Sequence, residues 1–165
     1  MPPMPPLHPL IVHAPIALII VSLVFELVGR ATDSDWWKNA AFAMLIVGAL
    51  GAWAAVWTGG PAGDAAERQG VTEHAVDDHE EAGRLTLWFA ISAVVVRAVA
   101  GWTGAARPVA GGLALLLHVS AAVAVGVAAY RGGRLVFDHG AAVHVHGRLV
   151  PSDGPPKHEE AREKD

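Results

Sequence analysis

Apolar residues fall into four long blocks separated by polar punctuation. The blocks run at about residues 9–28 ("PLIVHAPIALIIVSLVFELV"), 39–58 ("NAAFAMLIVGALGAWAAVWT"), 85–103 ("LTLWFAISAVVVRAVAGWT") and 109–130 ("VAGGLALLLHVSAAVAVGVAAY"). Each has the roughly 20 residues a helix needs to cross a bilayer. Lipid offers no partner to a bare peptide group, so each block is predicted to be a helix. Trp36, Trp37, Trp57, Trp88 and Trp102 fall near block ends, where amphipathic rings favour the membrane–water boundary, and Trp53 lies deeper, in a position predicted to pack between helices. The predicted fold is all-α: a polytopic membrane four-helix bundle over residues 1–150, with a short extramembrane segment after Tyr130. Residues 151–165 ("PSDGPPKHEEAREKD") are charged and nearly free of apolar side chains, and are predicted to be a disordered tail.

Four spans place both termini and the connection at about residues 59–84 on one face, called side X below. The two short connections lie on side Y. The connection at residues 59–84 is long and acidic, and "TGGPAG" is expected to break the second helix there. Pro15 is expected to loosen the first helix near His13.

Composition agrees with a membrane protein. Charged residues are 17%, against about 25% for a soluble domain. A net charge of −4 gives no footprint for nucleic acid. The chain has no cysteine, which excludes disulfides, thiolate metal sites, iron–sulfur ligation and covalent c-type haem attachment. "MPPMPP" lacks a basic leader region, so the first block is expected to stay as a helix. No phosphate loop and no nucleophile–base–acid set is recognisable.

Candidate chemistry rests on histidine. There are nine, and only His118 is deep in a span; the others fall on side X. Neutral imidazole ligates iron, copper and zinc, and haem iron takes axial histidines. His13 enters the first span and His79 immediately precedes the third, so they are expected at similar depth, with His8 and His139 near the same rim. Within the pairs His8/His13 and His74/His79 the spacing is i, i+5, about 140° apart on a helix, so ligation would need convergence between segments. Each histidine has an ordinary alternative: His8 as a headgroup-level polar group, His79 as part of an acidic helix start, His118 as a hydrogen bond to a neighbouring helix, His144 and His146 as a strand edge, and His158 as tail. Glu26 and Arg97 share a depth near side Y and are expected to form a structural ion pair.

The stretch "LHPLIVHAPIAL" resembles the opening motif of the DUF2231 family of bacterial four-helix membrane proteins. That family shows Leu-His-Pro, a few apolar residues, then Val-His-Phe-Pro-Ile-Ala. "HEEAGRLTLW" and "YRGGRLVFDHGAAV" resemble its later landmarks, so the likeness covers about residues 7–145. His8, His13, His79 and His139 match the family motifs; Ala14 departs from its usual Phe. Relatives are fused to Rieske or c-type cytochrome domains. The resemblance therefore implies electron transfer, a b-type haem or a transition metal ion near side X, a separate cytochrome c or Rieske protein as redox partner, and residence in the bacterial cytoplasmic membrane.

The expected function is haem b or transition-metal binding by two of His13, His79, His8 and His139, with His13 and His79 first. A non-redox scaffold or accessory subunit, and a small-solute or metal transporter, stand as alternatives, and a homo-oligomer is compatible with each. Orientation stays open: the basic residues place side X inside, whereas the cytochrome c fusions of relatives place it outside.

Overall fold

A computed structural model describes residues 7–103, 107–141, 144–145 and 148–149. The elements are α1 (Leu7–Ile11), α2 (His13–Ala31), α3 (Asp35–Glu67), α4 (Glu73–Thr103), α5 (Arg107–Phe137) and a hairpin of β1 (His144–Val145) with β2 (Arg148–Leu149). The fold is a four-helix bundle of membrane-spanning length, with α1 and α2 forming one span. Neighbours are α2–α3, α3–α4, α4–α5 and α5–α2. The helices therefore stand at the corners of a square, running alternately up and down, and α2 and α4 face each other across a diagonal.

Small residues set the spacing. A Cβ on Gly48 would lie 2.9 Å from Ile19 Cγ1, and one on Gly51 would lie 3.2 Å from Pro15 Cδ. The α2–α3 seam thus brings backbones close, as glycine permits in membranes. Ile19, Leu45, Ala49, Ala52, Leu87, Ala90, Ala93, Ala121 and Val125 form the main core. Trp53 is not among them. Its ring lies outside the bundle, 55% exposed and stacked on Trp57 at 5.7 Å, which corrects the expectation that it packs between helices.

The helices run past the apolar blocks. Residues 59–84 do not form a long connection: α3 continues through Gly59, Gly60 and Pro61 to Glu67, and α4 begins at Glu73. At 33 residues, α3 is about 50 Å long, against a hydrocarbon core of about 30 Å. The turn between them is a Schellman motif. Gly70 takes φ 93°, its N–H donates to Glu67 O, and Val71 N–H donates to Ala66 O. Ala66 and Val71 also meet in a second small core with Val76 and Ala141, at the side-X end. The helix-breaking glycines are overridden because tertiary contacts use their bareness: a Cβ on Gly63 would lie 2.8 Å from Val76 Cγ1.

At side Y, Asp33 (φ 49°) makes the turn from α2 to α3 and accepts from Lys38 Nζ at 2.7 Å. The irregularity expected near Pro15 lies three residues earlier, at Val12, which divides α1 from α2. Pro15 has no N–H to offer the Ile11 carbonyl, so the ladder is interrupted one turn before it. His146, His158 and the predicted tail at 151–165 lie outside the described residues, as do the side chains of the hairpin.

Candidate functional site

His8 and His79 meet on the diagonal at the side-X end of the bundle. Their ring centroids are 5.9 Å apart and the planes are nearly perpendicular. Each ring is held by the helix beside it. His8 Nδ1 lies 3.0 Å from Ala55 O on α3, with Thr58 Oγ1 at 3.4 Å. His79 Nδ1 lies 3.0 Å from Ala128 O on α5. A carbonyl only accepts, so both Nδ1 atoms carry the proton and both Nε2 atoms present a lone pair. Thr58 donates its own proton to Ala54 O at 2.9 Å, which leaves its oxygen as a second acceptor for His8. Neither Nε2 makes a hydrogen bond among the described residues.

Two glycines make room for the rings. A Cβ on Gly132 would lie 2.9 Å from His79 Cε1, and one on Gly59 would lie 3.4 Å from His8 Cε1. Glu80 sits behind the pair and accepts from Arg84 Nη1 at 3.0 Å. Arg131 Nη1 donates to Asp78 O at 2.6 Å and fastens the top of α5 to α4.

The other candidates are placed apart. His13 opens α2 on an exposed position of the bundle surface. His139 is half-buried in the turn after α5, where Gly140 takes φ 65°. His74 is exposed, 3.9 Å from Asp78. Among the described residues no group of three His, Cys, Asp or Glu is arranged to hold a metal ion. The structure thus brings together two of the four histidines, His8 and His79, and leaves His13 and His139 outside.

A second polar constellation lies nearer side Y. Glu26, 4% exposed, accepts from Arg97 Nη1 across the diagonal and from Arg30 Nε at 2.8 Å. Arg97 also donates to Lys38 O, and its guanidinium lies 5.1 Å over the Phe42 ring. His118 is buried against Ser22, with Nε2 at 2.8 Å from Ser22 Oγ and 3.3 Å from Ile19 O. Ser22 donates its proton to Ile19 O at 2.9 Å, so His118 Nε2–H is the donor in that pair.

Sequence reading passed over Thr58, Gly59, Gly132 and Ser22. Ser22 had a legible signal, a lone hydroxyl in an apolar block at the depth of His118. Gly132 had none, because its role depends on which helix lies opposite.

Residues 4–145 match the family model described as "Predicted membrane protein (DUF2231)". No curated protein and no solved structure matches the chain.

Proposed function

The chain belongs to the DUF2231 family of predicted membrane proteins, and we propose that it holds haem b between His8 and His79 for one-electron transfer near side X. One observation carries this reading: both imidazoles are tethered through Nδ1–H to backbone carbonyls, which leaves both Nε2 lone pairs free on rings whose centroids are 5.9 Å apart. Tethering of the distal ring nitrogen is the usual support for a metal-ligating histidine, because it fixes the tautomer and the ring orientation.

The donor set favours haem over a bare ion. A free divalent metal takes three or four protein ligands, and none joins these two among the described residues. Haem would bring four nitrogen ligands of its own, so His8 and His79 would complete the set. Bound haem iron supplies a reversible one-electron change. His8 and His79 would hold the iron as neutral donors on rings fixed by their carbonyl tethers, with Glu80, paired to Arg84, beside them. The redox partner would be a separate carrier of the cytochrome c or Rieske type, approaching side X.

The test is an absorption spectrum of protein purified in detergent after haem-supplemented expression, oxidised and then reduced with dithionite. A Soret band that shifts on reduction, lost in His8→Ala and His79→Ala and kept in His13→Ala, is the expected result. Colourless, iron-free protein overturns it.

A second reading has its own observation. The same two hydrogen bonds tie α1 to α3 and α4 to α5. In a non-redox scaffold they would serve as interhelical fasteners, and the histidine variants would lose stability with no cofactor to lose.

A further inference from the structure

The side-Y constellation borders a cavity of about 10 Å³, lined by Glu26, Arg97 and His118 with apolar side chains that include Leu45, Ala93 and Ala114. His118 is 2% exposed, and its two hydrogen bonds both run through Nε2. Nε2 must be the protonated nitrogen, because the Ser22 proton is already given to Ile19 O. Nδ1 is then a lone-pair acceptor with no hydrogen-bond partner among the described residues, on a ring that borders the cavity. It is not sealed off, because among the described residues no side-chain nitrogen or oxygen is both buried and without a partner.

We propose that this cavity is a binding site for one water molecule, which joins His118 to the Glu26–Arg97 pair. The volume is at the lower limit for a single water, roughly 10–15 Å³, and a buried water takes two to four polar partners. Three are present. The water donates to His118 Nδ1 and to the Glu26 carboxylate, whose oxygens each keep a free lone pair, and it accepts from the Arg97 guanidinium. A continuous hydrogen-bonded chain then runs from Arg30, which reaches Gly111 O at 2.8 Å at side Y, through Glu26, the water and His118 to Ser22. The charged groups facing it are Glu26 and Arg30 of α2 and Arg97 of α4; α3 contributes the Lys38 carbonyl, its ammonium being turned to Asp33 and Asp35. This chain gives an imidazole deep in the bundle a route for exchange with water at side Y. It stands apart from the His8–His79 pair and does not depend on haem.

Two measurements test it. In lipid bilayers, solid-state NMR of protein with ¹⁵N-labelled histidine is expected to show His118 with an unprotonated Nδ1 in direct contact with a water proton. Absence of that contact in the wild-type protein overturns the proposal. Hydrogen–deuterium exchange at the imidazole Cε1, read by mass spectrometry, is expected at His118 in the wild type and lost in Ala114→Val, which fills the cavity, while exposed His74 is unchanged. Equal exchange at His118 in both proteins overturns it. The NMR arm needs no variant, so a poorly folding Ala114→Val leaves the proposal testable.

Discussion

His8 and His79 face each other edge to plane with ring centroids 5.9 Å apart, on segments that run in the same direction and stand on opposite corners of the bundle. Glu26 and Arg97 repeat the relationship at the other end. Each pair is separated by the same 71 positions: 79 − 8 and 97 − 26. Along each chain segment the step from one pair to the next is 18 residues (26 − 8 and 97 − 79), which is five turns and about 27 Å of rise. Both pairs therefore fall on one inward stripe, separated by close to the thickness of a hydrocarbon core. The interior of the bundle is closed by a neutral pair at one face and a charged pair at the other.

Gly132 gives the sharpest test of how the histidine pair is held. Gly132→Ala places a methyl 2.9 Å from His79 Cε1 and 3.2 Å from Nδ1. The ring must swing off Ala128 O, and the overpacked variant is expected to lose about 1–3 kcal/mol. Gly133→Ala meets nothing within 4 Å and should be neutral or stabilising by up to about 1 kcal/mol through helix propensity. Melting temperatures in one detergent decide it; equal losses at the two sites would refute the close approach.

The Glu26–Arg97 pair should show the asymmetry of a buried ion pair. Glu26→Leu leaves Arg97 facing apolar surroundings with Arg30 also unpaired, and is expected to cost about 3–5 kcal/mol. Glu26→Leu combined with Arg97→Met should recover most of that loss. A double-mutant cycle of chemical denaturation reads the coupling, and strict additivity would mean that the pair does not interact in the membrane.

The turn at side Y carries an acid-range signature. The Lys38 ammonium, hydrogen-bonded to Asp33, holds the Asp33 carboxyl below the ordinary carboxylate value. A depressed folded pKa adds stability that is present above the unfolded value, about 3.9, and is lost as pH falls through the folded value. The interaction is fully exposed, so the effect is small and fades with salt. Carbonyl ¹³C NMR is expected to show Asp33 titrating below the ordinary carboxylate value, and Lys38→Met should restore that value. An unmoved Asp33 titration in that variant would remove the cause.

Topology can be read by chemistry, because the chain has no cysteine of its own. Asp35→Cys and His74→Cys replace side chains that are 90% and 89% exposed at opposite ends of α3 and α4. A membrane-impermeant maleimide added to sealed vesicles should label one of them and leave the other until the vesicles are opened. Labelling of both from the same side would refute the alternating arrangement, and the site labelled in right-side-out vesicles fixes the orientation.

The sequence by itself determined the architecture. Four apolar blocks without hydrogen-bonding solvent leave the backbone no state but helix, and the polar residues within those blocks are costly enough to mark themselves. That is why Glu26, Arg97 and His118 could be singled out one by one. What only the tertiary structure decided is who meets whom. His8 rather than His13 turns inward: five positions set the two rings about 140° apart on a helix that runs on through Val12, and the seating of Pro15 against Gly51 fixes which of them faces the bundle. The continuation of α3 past Gly59–Gly60–Pro61 was equally invisible, since local propensity forbids it and only the second core at side X outweighs that propensity. Depth in a membrane is written along the chain. Azimuth is set by the neighbour each helix packs against, and a single sequence holds that information only through contacts it does not display.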